Sequence, residues 1–439
     1  MKRAGATIIN GIKAVEGIAV MIFFVAGAFL QGFYFFKQYI FANLIIILYA
    51  GLLACHERRK LPYEGATVSL FVFVALYFLS ALYGVNREGA IYEALRVAGF
   101  IPAYMVGFMW DSSRIKWMEK GIVLSSVMVS LLGLAVLSGL IFLEGALYEG
   151  RIQSTLHYAN VAAVYMLMGI VLTVKRMAEA KKRTLYNVYI FLLMCGLILT
   201  YSRGVWILLF ILSMGLVFYR VSNCHDPRNL KIRYVYIALV SCITAVALSS
   251  CNSAAWFAGI LLTGIFLCIL PDFLKQGVYV WAIEAAMIVS LPMLHLFSSP
   301  VYNRIKDIRL DATEWAARMA YYKGAIRIIN DYPLLGSGGM GWAVLCESYA
   351  ADYVKYVHNY YLQVLTDVGL IGFTAFLIFT VNVLYTSLKK HRDDIFNLAL
   401  LAIILLHSFI DIGMHFQLIA IIFFIYCGKI KGNQDELSP

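Results

Sequence analysis

The strongest constraint on this chain is the recurrence of near-continuous apolar runs. About fourteen of them are long enough to cross ~30 Å of hydrocarbon. Their approximate limits are 13–33, 38–55, 65–83, 90–110, 120–142, 156–174, 185–201, 203–219, 233–250, 254–270, 277–297, 358–388, 394–410 and 412–428. Of 439 residues, 62% are hydrophobic and only 14% charged, and mean hydropathy is +0.79. A water-soluble domain of this length could not hide so much apolar surface, so lipid must be the solvent. Inside lipid the backbone has to satisfy its own hydrogen bonds, which runs of this kind do as helices. The expected fold is an all-α polytopic membrane protein with about 12–14 transmembrane helices. Residues 1–297 should hold about eleven spans and residues 358–428 about three. Between them, 298–357 reads as a large extracytoplasmic loop with an amphipathic helix near 312–330, and 429–439 as a cytoplasmic tail.

The net charge of +11 is not a nucleic-acid footprint, because its distribution follows the membrane. With the N-terminus in the cytoplasm, alternation places Arg58-Arg59-Lys60, Arg114/Lys116/Lys120, Lys175-Arg176 with Lys181-Lys182-Arg183, Arg228/Lys231/Arg233 and Lys389-Lys390-His391-Arg392 inside. Short outer segments hold Lys37, Arg87, Arg151 and Arg203, with Arg96 within the fourth span. This is the asymmetry of the positive-inside rule, and it puts both termini in the cytoplasm. Met1-Lys2-Arg3 before an apolar stretch resembles a signal peptide, but without an obvious small-residue cleavage site an uncleaved first helix is expected. Cysteines 55, 195, 224, 242, 251, 268, 346 and 427 are scattered singly with no Cys-x-x-Cys pair. They read as small hydrophobes rather than metal ligands or a disulfide frame.

The 298–357 loop is basic on the disfavoured side, carrying Arg304, Lys306, Arg309, Arg318, Lys323, Arg327 and Lys355. Long translocated loops escape the charge rule, so the charge points to an anionic partner or to lipid phosphates. Asp311-Ala-Thr-Glu314 forms a capping box, and the helix it starts should run to about Asn330, ended by Asp331-Tyr-Pro333. Arg318 and Tyr322 share one face of it. Gly336-Ser-Gly338-Gly339-Met340-Gly341 literally satisfies G-x-G-x-x-G. A helix and a proline precede it instead of a strand, so it reads as a flexible turn offering amides to an anion rather than a dinucleotide site.

Polar residues beside spans are costly and normally face protein or a cavity. Glu93 and Arg96, three apart, are expected to neutralise each other. Tyr201-Ser-Arg203 sets a guanidinium between two apolar runs. Gly150-Arg151 through Thr155, His157 and Asn160 is a second polar mouth. His407, Asp411 and His415 have the spacing of helical metal ligands, but Gly413 interrupts the helical face, so a polar turn supporting the outer surface is expected. His358 opens a span whose Asn359, Gln363, Thr366 and Asp367 form one polar stripe facing protein or water. These features together define an outward-facing cavity of guanidinium groups and one imidazole. Arginine suits phosphate oxygens, and histidine accepts a proton near neutral pH. That is equipment for displacing a phosphate leaving group by a hydroxyl. With no D-x-D sequence and no outer acidic cluster, arginines are expected to stand in place of a divalent metal.

His358-Asn-x-Tyr-Leu-Gln-x-Leu-x-Asp-x-Gly-x-x-Gly372, Tyr201-Ser-Arg203-Gly, and Arg318 followed by a helix and Pro333-Leu-Leu-Gly-Ser-Gly resemble motifs of the O-antigen ligase and O-antigen polymerase superfamily of bacterial membrane glycosyltransferases. Arg151…Thr155…Asn160 and His407…Asp411 also resemble the family pattern, so the likeness spans roughly residues 150–415. The resemblance implies transfer of a glycan from undecaprenyl diphosphate to an acceptor hydroxyl on a growing polysaccharide, lipid or protein, at the outer face of the cytoplasmic membrane. His358 would activate or orient the acceptor, and Arg203 and Arg318 would bind the diphosphate. Arg151, Asn359 and Tyr322 are secondary substrate-binding candidates. No cofactor, nucleotide sugar or metal is called for, and ligase and polymerase remain open alternatives. The competing class is a lipid-linked oligosaccharide transporter or flippase. Transporters tend to show internal repeats and midplane sites, whereas the polar groups here cluster at the outer edge.

Overall fold

The computed structural model describes residues 2–57, 64–218, 224, 226–251, 253–273, 300–306, 313–350, 352–390 and 395–432. The expected span at 277–297, Arg58-Arg59-Lys60, His391-Arg392, Arg309, the capping residue Asp311 and the tail after 432 lie outside the described residues. Helices dominate: α1 Lys2–Phe29, α2 Phe36–Glu57, α3 Gly65–Tyr83, α4 Arg87–Val97, α5 Phe100–Met109, α6 Ser112–Leu137, α7 Ala159–Glu179, α8 Thr184–Ile198, α9 Arg203–Phe218, α10 Pro227–Ser249, α11 Ala254–Ile269, α12 Pro300–Lys306, α13 Thr313–Asp331, α14 Gly341–Ala350, α15 Tyr360–Lys390, α16 Ile395–His407 and α17 Gln417–Gly432. A short antiparallel hairpin pairs β1 (Leu147–Tyr148) with β2 (Arg151–Ile152).

Among the described residues, 7 helices are long and apolar enough to cross a membrane, and α8, α9 and α16 are shorter apolar helices. The chain is an all-α polytopic membrane protein. Several expected spans turn out to be broken for local reasons. The run at 90–110 divides into α4 and α5 at Ala98-Gly99, and the run at 412–428 begins in a tight turn, Gly413–His415, before α17.

The chain forms two compact units, Met1–Gln31 with Lys116–Arg309, and Gly32–Ile115 with Leu310–Pro439. In the first, α8 packs against α7, α10 and α11. The buried carboxylate of Glu119 there receives Lys175 Nζ at 2.9 Å and Arg176 Nη2 at 3.1 Å, so neither sign of charge is stranded in an apolar interior.

In the second unit, α5 packs along α17 and α3 along α15. A Cβ on Gly107 would lie 1.9 Å from the Ile425 carbonyl oxygen, and one on Gly428 2.0 Å from that of Tyr104. Only glycine permits this approach, and close backbone contact is what holds helices together where lipid removes the hydrophobic drive. Phe100 stacks on Phe424 beside it, with centroids 4.4 Å apart.

Helix α15 breaks at Gly369 (φ 64°, ψ −166°). The glycine-rich segment inserts at the break. Leu370 and Ile371 amides donate to the Pro333 and Leu334 carbonyls at 2.9 and 3.2 Å, while Ser337 and Gly338 amides donate to the Thr366 and Asp367 carbonyls at 2.7 and 3.0 Å. Gly339 N–H reaches Ser80 Oγ at 3.3 Å. Backbone groups freed by a break within a membrane helix must find partners in protein, and this loop supplies them. The G-x-G-x-x-G stretch is therefore not a flexible turn presenting amides to an anion; its Ser337, Gly338 and Gly339 amides bond to α3 and α15.

Candidate functional site

His358 lies two residues before α15 and holds a left-handed backbone, φ 56°, which costs a non-glycine residue about 1–2 kcal/mol. Several contacts enforce it. Asn359 caps the helix, its Oδ1 accepting from the Tyr361 and Leu362 amides at 3.0 and 3.1 Å. Tyr360 N–H donates to the Ser408 carbonyl at 2.8 Å, tying this corner to the turn after α16. Tyr322 on α13 donates its hydroxyl to the His358 carbonyl at 3.0 Å and lies 3.3 Å from that of Phe409. Burial raises the Tyr322 phenol above its ordinary value, so it remains a donor.

That turn presents Asp411. Its Oδ2 accepts from Arg318 Nη2 at 3.0 Å, its Oδ1 lies 3.4 Å from His358 Nδ1, and Oδ1 also takes the Ile412 amide at 2.8 Å. The Asp411 side chain is 2% exposed, against 22% for Arg318 and 21% for His358. A buried carboxylate thus anchors two partly exposed groups. Burial alone would raise its pKa, but the hydrogen bond to His358 and the Arg318 charge outweigh that and hold it below the usual carboxylate range. With Nδ1 engaged by Asp411, proton acceptance falls to Nε2, the logic of a carboxylate-oriented imidazole. The Tyr321 ring lies 6.2 Å from the imidazole, tilted by 27°.

The expected polar turn at 407–415 is present. Asp411 serves Arg318 and His358, while His415 packs between Tyr356 and Tyr360, with centroids 4.0 and 5.4 Å away. Behind the turn, Arg96 does more than neutralise Glu93. It pairs with that carboxylate and also donates to the Met414 carbonyl at 3.2 Å.

The other arginines belong to the first unit. Tyr201 is left-handed at φ 54°, and the turn it makes delivers Arg203 as the first residue of α9. Arg151, on β2, donates Nε to the Thr200 carbonyl and Nη2 to Asn160 Oδ1, each at 3.0 Å. Arg304, on α12, has its Nε 3.4 Å from the Tyr201 carbonyl. Arg151, Arg203 and Arg304 therefore gather around one turn. Below it, Trp206, Phe210, Tyr234, Trp256, Val301 and Ile305 are among the lining of an apolar cavity of about 1000 Å³.

Of the residues singled out in the sequence, Arg318, Tyr322, His358 and Asn359 come together in the second unit, and Arg151 and Arg203 in the first. Sequence reasoning gave no role to Arg304, which was only one basic residue of a loop. It noted Asp411 without seeing that it joins groups 93 and 53 positions away. The signal available for it was a lone acid close to a histidine between two apolar runs.

Residues 188–377 match the family model described as O-antigen ligase. The match contains Arg203, Arg318 and His358. No curated protein matches the chain. Over those residues, less than half of the chain, the protein is similar to the O-antigen ligase family.

Proposed function

We propose that the protein transfers a glycan from a polyprenyl diphosphate, undecaprenyl diphosphate in bacteria, to an acceptor hydroxyl at the extracytoplasmic face of the cytoplasmic membrane. The observation that carries the reading is the buried Asp411 carboxylate shared between the Arg318 guanidinium and the His358 imidazole. In this reading His358 Nε2 takes the acceptor proton as the hydroxyl oxygen bonds to the anomeric carbon. The bond from that carbon to the phosphate oxygen breaks, and its electron pair leaves with the polyprenyl diphosphate. The Arg318–Asp411–His358 group passes from formally neutral to singly positive as the imidazole takes its proton. A cation thus appears at the step in which the leaving group gathers negative charge, and such matching is usually the largest electrostatic contribution to a transfer of this kind. Arg203, with Arg151 and Arg304 at the same turn, is suited to diphosphate oxygens. The apolar cavity beneath suits an isoprenoid chain.

The test is the purified full-length protein in lipid nanodiscs, with a synthetic polyprenyl-diphosphate oligosaccharide as donor. His358→Ala, Arg318→Ala and Arg203→Ala should each abolish release of polyprenyl diphosphate while the proteins remain folded; full turnover in all of them would overturn the site. In cells, a deletion that leaves single repeat units on the normal acceptor identifies a polymerase. Long chains stranded on the polyprenyl carrier identify a ligase.

A further inference from the structure

The polar stripe on α15 does not face a cavity. Gln363, Thr366 and Asp367 are 2%, 0% and 1% exposed. Gln363 Oε1 accepts the backbone amide of Val357 at 3.0 Å, and its Nε2 donates to Asp367 Oδ1 at 2.9 Å. Asp367 Oδ2 accepts in turn from the Tyr77 hydroxyl on α3 at 3.2 Å. The chain runs from the amide next to His358, through a glutamine and a carboxylate one helical turn further in, to a neighbouring helix.

Its polarity is determined. A glutamine amide can turn end for end, and only its partners decide which end points where. A backbone N–H donates and never accepts, so the Val357 amide draws the carbonyl end of Gln363 toward itself. That leaves the NH₂ end for Asp367 Oδ1. The reverse orientation would oppose two donors at Val357, in a site without water access.

We infer that Gln363, seated between the Val357 amide and Asp367, is a positioning residue for His358, holding the left-handed His358 backbone in the conformation that turns Nδ1 to Asp411. The inference rests on the role given to His358 above. Gln363 touches no reacting atom; it acts through the Val357 amide. The residue spacing makes the device possible. Gln363 and Asp367 are four apart and lie on the same helix face, and Gln363 sits in the turn whose start is capped by Asn359.

The experiment compares Gln363→Leu and Gln363→Glu with wild type and His358→Ala, as full-length proteins in nanodiscs with the same synthetic donor. Leucine fills the space and removes the acceptor. Glutamate restores an oxygen for the Val357 amide and shares a proton with Asp367, as close buried carboxylates do. Q363L should lower kcat roughly 100-fold, the scale expected when a reacting group is displaced by about 1 Å, with KM for the donor within about twofold. Q363E should recover most of the loss. Deuterium uptake at 354–359 should rise in Q363L and stay at the wild-type level in Q363E, while α14 remains protected in both. Wild-type kcat in Q363L, beside an inactive H358A, overturns the positioning role alone. Parallel loss of kcat, donor affinity and α14 protection in Q363L, or failure of Q363E to recover turnover, shows a merely structural residue and overturns it too. Wild-type turnover in H358A removes the reading of the site, and this inference with it.

Discussion

Single residues here act by being held rather than by being unusual. Asp411 is buried, yet it stays below the ordinary carboxylate range because His358 and Arg318 favour its ionised form more than burial opposes it. Asp411→Asn keeps the shape and removes the charge. It should lower transfer at saturating donor by about two to four orders of magnitude, the range seen when a carboxylate that orients a catalytic imidazole is neutralised. Stability should follow with a definite sign. A depressed folded-state pKa contributes wherever the unfolded aspartate is ionised, above about 3.9, and is lost as pH falls toward the folded value. The melting-temperature gap between wild type and D411N should thus stay constant from about pH 7 to 5 and narrow below about pH 4. A gap that widens on acidification would show that Asp411 is not held ionised. His358 was legible in the sequence because a titratable group opening an apolar run is expensive. Its partnership was not, because a lone acid near His407 does not say which distant groups it meets; only the return of the chain after α16 brings Asp411 to Arg318 and His358.

At the level of elements, the break in α15 explains a motif that composition alone misread. Gly336, Gly338 and Gly369 have φ of 73°, 90° and 64°, and each closes a contact that a side chain would fill. A Cβ on Gly338 would lie 2.5 Å from Gly84 Cα, and one on Gly369 2.3 Å from the Leu334 carbonyl oxygen. Gly150, in the β1–β2 hairpin, shares a positive φ of 73° but has nothing within 4 Å. Gly150→Ala should therefore carry only backbone strain, about 1–2 kcal/mol. Gly338→Ala must add displacement of the backbone at Gly84, directly after α3, and its melting temperature should fall well below that of Gly150→Ala. Equal shifts would mean that the loop is not wedged against α3. The spacing of these glycines was readable in the sequence, whereas their purpose depended on where α3 and α15 pass. By contrast, the helical content and most spans were readable directly, since an apolar run of sufficient length has few alternatives in lipid.

For the whole molecule, the sequence argument concerns sidedness, and the structure gives it residues to test. On the expected topology, Lys181 and Lys182, between α7 and α8, lie in the cytoplasm, and alternation puts the α13–α14 segment outside. Both of those lysines are exposed, as is Glu347 on α14. A cysteine at each reports its side without disturbing the core. In a background where Cys55, Cys224, Cys242 and Cys251 are serine, Glu347→Cys should react with a membrane-impermeant maleimide in intact spheroplasts. Lys182→Cys should react only after permeabilisation. The buried thiols Cys195, Cys268, Cys346 and Cys427 should stay silent in both. The reverse pattern would put His358 and Arg318 on the cytoplasmic side, where a nucleotide sugar would be at hand. A donor carried on a polyprenyl diphosphate would then no longer be the natural reading. The expected pattern would place the imidazole–carboxylate–guanidinium group at the face where lipid-carried glycans are the available activated sugars, so one labelling experiment tests both topology and donor class.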